Sequence, residues 1–190
     1  MPDSIYFLTS ERLGFRFWTK NDFPLARKLW GNYEVTKFID AREKLNDEQI
    51  LEKLNNELET GDTHNIQYWP VFILSENVFA GCCGLRPYDL KNNIYETGVH
   101  MLPDYWGKGL ASEAIQAVMK YAFTKLKAKA LFAGHNPKNT ASKRLLLKAG
   151  FNYTFNQYYP PTGLHHPSYL ITFAEYNRLL KRDKKKLIGK

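Results

Sequence analysis

The sequence has little cysteine. Its 190 residues include two cysteines, Cys82 and Cys83, which are adjacent. Neighbouring residues of a strand point to opposite faces, so a bond between these two thiols would be strained. The pair argues against a disulfide framework and against a cysteine-based metal cage. It favours a reducing, cytoplasmic setting and a buried role for both thiols.

Long apolar runs are also missing. The longest candidate, residues 68–74, is far shorter than the roughly 20 residues that a membrane-spanning helix requires. Residues 1–4 lack the basic and then apolar character of a secretory signal. We therefore expect a soluble protein without a membrane partner.

Acidic residues are fewer than basic ones, 19 against 27, which gives a net charge of +8. The last ten residues hold six basic side chains and one acid, Asp183. Without them 21 basic and 18 acidic residues remain, a net charge of +3. We interpret residues 181–190 as a solvated basic tail, and we regard nucleic acid as a disfavoured partner.

The length is that of one ordinary domain, and no internal repeat or low-complexity linker is present. We expect a single domain over residues 1–180. Apolar patterning predicts strands first and then strands that alternate with helices, which is typical of a mixed α/β or α+β sheet. The predicted strands are 5–18, 67–74, 78–86, 94–102, 130–133, 151–158 and 168–173. The predicted helices are 23–30, 46–61, 110–127 and 140–149.

Local signals mark where the predicted helices begin and end. Asn46 and Gln49 have the spacing of a capping box, and Gly61 is a plausible stop for the helix that they start. Gly150 stands where a left-handed residue would end the helix before it.

Two glycines, Gly107 and Gly109, lie in a short segment between a predicted strand and a predicted helix. Without side chains, consecutive backbone N–H groups of this turn can face an anion, which the positive end of the helix also favours. The segment lacks the ending of a Walker loop, and Ser112 stands where a dinucleotide fingerprint needs its third glycine. Taken alone, the segment fits an ordinary tight turn better than a phosphate site.

Further residues give this segment a context. About 30 residues later, Asn139, Ser142 and Leu145 lead along a helix to Gly150. With these residues the sequence resembles the GNAT acetyltransferase superfamily, whose members bind acetyl-CoA and acetylate amines. It is most similar to the RimJ/RimL-like branch, named after ribosomal-protein acetyltransferases. The resemblance covers residues 9 to 178 and also rests on segments 9–13, 22–23, 35–39 and 95–99.

The resemblance implies a central mixed sheet of about seven strands with about four flanking helices. Its fourth strand, at 94–102, splays away from the fifth, at 130–133, and the pantetheine arm of acetyl-CoA lies in the gap. The implied cofactor-binding groups are main-chain atoms near His100, Met101 and Leu102, a pyrophosphate loop, and the side chains of Asn139 and Ser142. The loop consists of Gly107, Lys108, Gly109, Leu110 and Ala111. Asn139 can alternatively be a plain helix cap, and Ser142 a small packing residue.

The implied reaction is direct acetylation of a primary amine, without a metal and without a covalent enzyme intermediate. Glu96 is the preferred base, although it is nearly as compatible with an exposed or ion-paired glutamate. His100 is a weaker candidate on the same face, and Ser142 is placed to approach the sulfur. His165 and His166 are interpreted as residues of a surface loop.

Two departures from the family pattern leave alternatives open. Asp104 stands where a glutamine or arginine usually contacts the pyrophosphate, and Leu146 replaces the usual tyrosine acid. A non-catalytic acyl-CoA-binding module therefore remains an alternative, and the basic charge keeps a ribosome- or RNA-associated protein as a second one. The acceptor can be a protein N-terminus or a small-molecule amine, and the protein a monomer or a homodimer.

Overall fold

The computed structural model describes residues 5–42 and 44–188. In this part of the chain one eight-stranded sheet is flanked by six α-helices. The strands are β1 (Leu8–Thr9), β2 (Leu13–Phe15), β3 (Tyr68–Ile73), β4 (Val78–Asp89), β5 (Ile94–Met101), β6 (Ala130–Gly134), β7 (Asn152–Tyr159) and β8 (Leu164–Thr172). The helices are α1 (Phe23–Trp30), α2 (Tyr33–Thr36), α3 (Asp47–His64), α4 (Leu110–Thr124), α5 (Thr140–Ala149) and α6 (Phe173–Ile188).

The sheet is mixed, as predicted. Its strand order is β1-β2-β3-β4-β5-β6-β8-β7, with one parallel pair, β5 and β6, among antiparallel ones. The mixed α/β class is therefore confirmed, and the strand count of eight slightly exceeds the expected seven. No helix in the described ranges combines the length and hydropathy needed to cross a bilayer.

Apolar clusters cover both faces of the sheet. Helices α1, α2 and α3 contribute to one cluster, and α4, α5 and α6 contribute to the other. Cys82 belongs to the first cluster and Cys83 to the second, and both side chains are fully buried. Their alternation across the strand and their burial confirm the prediction from the sequence.

The sheet splits between its two central strands. β5 and β6 pair at three positions, the last joining Glu96 to Phe132. Beyond that pair β5 stays paired with β4 as far as Met101, while β6 stays paired with β8 as far as Gly134. Each half of the sheet thus keeps its own partners, and a wedge opens between the two strands, as the resemblance implied.

Most predicted helix boundaries are confirmed, but the ends of α3 and α4 are not, and α4 stops at Thr124, short of the predicted 127. Asn46 and Gln49 form the capping box, with reciprocal bonds of 3.0 and 2.9 Å. Gly150 ends α5 in the left-handed conformation. However, α3 runs past Gly61 to His64 and ends at Asn65, which is itself left-handed. Position 61 requires a glycine because of space and not because of the helix end, since an added Cβ would lie 2.4 Å from the Gln67 side chain.

Two helices, α2 and α6, were not predicted. The single turn of α2 begins after Asn32, whose side chain caps it. The longer helix, α6, extends through Ile188, so helical backbone continues into the predicted tail. Residues 1–4, on which the absence of a signal rests, and residues 189–190 at the end of the tail lie outside the described part of the chain.

Candidate active site

A cavity of about 330 Å³ opens at the wedge between β5 and β6. Its lining comes from both strands, from the start of α5, and from the face of the sheet that α1 and α3 cover. Predicted residues among the lining are Glu96, His100, Asn139 and Ser142. The fold therefore brings these four together, although they lie up to 46 positions apart in the sequence.

The glycine segment forms a turn at the N-terminus of α4. Gly107 and Gly109 have φ angles of 72° and 76°, in the left-handed region that favours glycine. The first helical bond runs from the Glu113 N–H to the Gly109 carbonyl, at 3.1 Å. Among described residues, none accepts a hydrogen bond from the backbone N–H groups of residues 107–112. These amides are free for an anion, as expected of the unsatisfied first turn of a helix.

An arginine from another element lies beside this turn. Arg12, between β1 and β2, pairs through Nε with Glu113 at 2.7 Å and donates from Nη1 to the Lys108 carbonyl at 3.1 Å. Its Nη2 is 3.7 Å from the position that a Cβ on Gly109 would take. The turn therefore has a guanidinium next to it, although Asp104 occupies the usual side-chain position.

The Glu113 carboxylate is firmly held in this arrangement. It accepts hydrogen bonds from the Ser10 hydroxyl and the Arg12 N–H, each at 2.7 Å. Burial alone would raise the pKa of Glu113, but the bonds from Ser10 and Arg12 outweigh burial and lower it. The arginine thus neutralises an acid that would otherwise repel a phosphate at this helix end.

Main-chain groups of β5 alternate between the two neighbouring strands. The Leu102 N–H donates to the Ala80 carbonyl on the β4 side at 2.9 Å, and its carbonyl accepts from Tyr105 at 3.0 Å. Leu102 was predicted to bind a ligand through its main chain, but both of its groups are committed to the protein. By alternation, the N–H groups of Val99 and Met101 point toward the wedge. The Met101 carbonyl accepts from the Trp106 indole at 2.7 Å.

The start of α5 presents two polar groups to the cavity. The Asn139 side-chain oxygen accepts from the Ser142 N–H at 3.0 Å, so Asn139 is a helix cap. Its amide nitrogen and the Ser142 hydroxyl have no hydrogen-bond partner in the described part of the chain, and both residues line the cavity. Leu146 is buried in the adjacent core and supplies no acid.

Glu96 lies on the cavity side of β5. Its Oε1 accepts a hydrogen bond from the Tyr68 hydroxyl at 3.2 Å. Burial raises the pKa of Glu96, while Arg86 and the bond from Tyr68 act in the opposite direction. Gly98 makes this contact possible, because a Cβ there would lie 2.4 Å from the Tyr68 hydroxyl. A carboxylate whose pKa is raised holds a proton more readily than an ordinary glutamate, which suits a general base that lines a cavity.

The His100 side chain is not suited to act as a base. Its Nδ1 accepts from the Trp30 indole at 3.3 Å and lies 3.6 Å from the Cys82 sulfur. Burial, with smaller contributions from Arg86 and Lys53, lowers its pKa to about 3. The imidazole therefore stays neutral at physiological pH.

Beyond Glu96 the cavity continues into a cluster of charged and aromatic residues that the sequence did not reveal. Arg86, opposite Glu96 on β4, bonds to the buried Glu57 carboxylate and stacks on Tyr68 with 4.2 Å from Cζ to the ring centroid. Glu57 also accepts from the Tyr68 N–H at 2.8 Å. Lys53, on α3, completes the charged lining.

On the far side of the cavity the position of His166 differs from the prediction. His166, interpreted as a surface-loop residue, lies in β8, is buried, and contacts the Thr162 hydroxyl at 2.7 Å. His165 is exposed. Ser168, also on β8, lines the cavity with a buried hydroxyl that has no hydrogen-bond partner in the described part of the chain. A ligand atom can satisfy that hydroxyl.

Among the side chains that the structure describes, no group of three or more His, Cys, Asp or Glu residues is arranged to hold a metal ion.

Comparisons with known proteins agree with this geometry. The family model of the acetyltransferase (GNAT) domain matches residues 12–152. An uncharacterized N-acetyltransferase, p20 of Bacillus licheniformis, is 29% identical over 147 residues, which cover 76% of this chain and 81% of p20. A GNAT-family acetyltransferase structure from Bacillus anthracis has a TM-score of 0.75 at 26% identity, covering 88% of this chain and 99% of that one. The ribosomal L7/L12 α-N-protein acetyltransferase RimL, solved with coenzyme A, shares the fold at a TM-score of 0.73 and 16% identity, covering 86% and 95%.

Proposed function

The chain belongs to the GNAT acetyltransferase family, and from this membership and the geometry of its cavity we propose that it is an N-acetyltransferase. It transfers the acetyl group of acetyl-CoA directly to a primary amine. The observation that carries the proposal is the wedge. β5 and β6 lose their pairing after Glu96 and Phe132, and the free amides of residues 107–112 lie beyond the far end of β5.

The residues around the wedge fit the chemical groups of acetyl-CoA. The amides from Gly107 to Ala111, with Arg12 beside them, suit the pyrophosphate as donors. The Met101 N–H and the Asn139 amide nitrogen suit the polar groups of the pantetheine arm. A negatively charged, extended cosubstrate of this kind would satisfy polar groups that have no partner among the described residues.

Each step of the transfer has a candidate group. The amine nitrogen forms a bond to the acetyl carbon and loses a proton, which Glu96 accepts directly or through one water. A main-chain N–H of β5, at Val99, donates to the acetyl oxygen as negative charge develops there. The Ser142 hydroxyl donates to the sulfur as the carbon–sulfur bond breaks, and the thiolate then takes a proton from water. Ser142 thus stands in for the tyrosine that Leu146 replaces.

The proposal is tested with Gly109→Glu. A glutamate at this turn adds bulk and negative charge where a phosphate would lie, and it forces a side chain into φ 76°. We expect loss of detectable CoA binding by titration calorimetry and loss of thiol release with acetyl-CoA and amines. Gly163→Glu is the matched control, because Gly163 has a φ of 66° and open space around it.

Two outcomes would contradict the proposal. Unchanged CoA affinity in Gly109→Glu would show that the turn is not the phosphate site. Wild-type protein that binds CoA but releases no thiol with any primary amine would favour a non-catalytic acyl-CoA-binding module, for which the replacement by Leu146 is the specific argument.

A further inference from the structure

Lys53 lies in an unusual position for a lysine. It projects from the second turn of α3, lines the cavity, and is half-buried. Within the described residues its ammonium group makes no ion pair and no hydrogen bond. Burial lowers its pKa, and the Arg86 guanidinium lowers it further. A desolvated cation without a partner is costly, so this position calls for a negative charge from outside the chain.

The carboxylates near Lys53 are already engaged. Asp40, which is buried, holds Arg42 through two bonds of 2.8 and 2.6 Å. Glu57 holds Arg86 and the Tyr68 N–H. Neither acid therefore has Lys53 as its hydrogen-bond partner, and the Lys53 ammonium group has no direct partner among the described residues of this cluster.

Arg86 retains binding capacity as well. One of its nitrogens, Nη2, bonds to Glu57, and in the described part of the chain the remaining N–H groups donate no hydrogen bond. Its side chain is 37% exposed and lines the same cavity. A guanidinium with free N–H groups is suited to a planar anion such as a carboxylate.

The charge balance changes during catalysis. When Glu96 accepts the proton of the amine, it becomes neutral, and Glu57 alone opposes the two cations Lys53 and Arg86. An acceptor that carried a second ammonium group here would be repelled, whereas an acceptor with an anionic group would restore neutrality.

We propose that the acceptor is a small amino carboxylate, whose carboxylate is held by Lys53 and Arg86 while its amine faces Glu96. This inference rests on the proposed acetyltransferase function and specifies its substrate. The cavity volume of about 330 Å³ supports a small acceptor, since it lies at the low end for ligand sites. A long peptide exceeds this volume, and a polyamine would add positive charge where Glu57 alone opposes Lys53 and Arg86 once Glu96 is protonated.

The test uses pairs of acceptors that differ in one charge. Glycine, β-alanine, 4-aminobutyrate, 5-aminopentanoate and 6-aminohexanoate are compared with their carboxamides, by thiol release with acetyl-CoA and by calorimetry on the CoA-loaded protein. We expect at least one chain length for which the acid exceeds its amide at least tenfold in kcat/KM or in affinity. That length also reports the span from Glu96 to the cations.

Variants of Lys53 test whether its charge causes the preference for the acid over the carboxamide. Lys53→Met should reduce the preference for the acid to about unity without changing the CoA Kd, and Lys53→Arg should retain most of it. Lys120→Met, which removes an exposed lysine of α4, should change nothing. Calorimetry with CoA alone is read first, because wild-type protein that fails to bind CoA disproves the proposed function itself. With CoA bound, equal use of acids and amides, use of neither, or acetylation confined to peptides or polyamines would overturn the amino carboxylate proposal.

Discussion

At the scale of single residues, the environment of Glu96 decides what the site can do. Glu96 is half-buried, which raises its pKa, and the neighbouring Tyr68 and Arg86 limit the rise. A base of this kind is neither fully solvated nor fixed in a tight ion pair. Its proton affinity is therefore matched to an amine more closely than that of an exposed glutamate.

Replacing the base tests its role directly. Glu96→Gln preserves shape and removes proton affinity, so we expect kcat/KM to fall by about 10²-fold or more, with an unchanged CoA Kd. In the wild type the rate should rise as the pH climbs through the raised pKa of Glu96, because the deprotonated form reacts. The variant should lose this acidic limb of the pH–rate profile.

Two further variants complete the experiment. Tyr68→Phe removes a hydrogen bond that lowers the pKa of Glu96, so the acidic limb should move to higher pH. Glu48→Gln alters an exposed glutamate of α3 and should leave both rate and profile unchanged. If Glu96→Gln behaves like Glu48→Gln, another group or a water chain acts as the base.

At the scale of elements, strand β5 carries two functions on its two edges. One edge bonds to β4, where the Leu102 N–H reaches Ala80, and the other faces the wedge after Glu96. A ligand in the wedge would extend the sheet by bonding to alternate residues. This geometry predicts which backbone amides a ligand in the wedge would protect from exchange with solvent.

Amide exchange measured by NMR tests that alternation. Without CoA, the Val99 and Met101 amides should exchange at least tenfold faster than the amide of Leu102. Saturating acetyl-CoA should slow exchange at Val99 and Met101 and leave Leu102 nearly unchanged, because that amide is already bonded. Protection of all three amides before CoA is added would mean that the wedge edge already has partners.

The link between the β1–β2 turn and α4 gives a second test at this scale. Arg12→Gln removes a guanidinium beside the phosphate turn and leaves Glu113 unpaired, so we expect the CoA Kd to rise about tenfold. Arg27→Gln is the matched control, because Arg27 also pairs through Nε with a carboxylate, Asp47 at 2.9 Å, but on an exposed surface away from the turn. Equal CoA affinities in the two variants would show that Arg12 supports the structure and does not contribute to CoA binding.

The sequence predicted the features that depend on neighbouring residues better than those that depend on contacts between residues far apart in the chain. Helix α1 and the start of α5 were predicted correctly, because caps and amphipathic spacing are local signals. The glycine turn followed from Gly107 and Gly109 themselves, whereas the wedge and the role of the turn in binding pyrophosphate followed from a family resemblance. The end of α3 was misplaced, because Gly61 serves a contact with Gln67 and not a helix stop.

The charged cluster could not be predicted in the same way. Glu57 and Arg86 lie 29 positions apart, and they meet because β4 places Arg86 under the helix that carries Glu57. Nothing in the local sequence of either residue distinguishes it from a surface charge. Likewise His166 looked like a loop residue, because the hairpin strands extend closer to their turn than the apolar pattern suggested.

At the scale of the whole molecule, charge is distributed unevenly. The sequence carries a net charge of +8, of which +5 comes from the last ten residues. The cavity depends on individual cations such as Lys53 and Arg86, and not on this bulk charge. Bulk charge at one end of a chain affects encounters with polyanions, and its influence declines steeply with salt.

The distribution predicts a separation between transfer activity and RNA binding. Replacing Lys184, Lys185 and Lys186 together with glutamine lowers the net charge from +8 to +5. We expect kcat/KM and the CoA Kd to stay unchanged, while any affinity for a single-stranded RNA falls. Each phosphate that the tail no longer neutralises should reduce the slope of log K against log salt by about 0.7.

Glutamine at the exposed Lys125, Lys127 and Lys129 makes the same charge change elsewhere and serves as the control. Strong RNA affinity that survives the tail substitution would instead place a nucleic-acid surface on the body of the protein, where 21 basic residues face 18 acidic ones, and would support the ribosome-associated alternative.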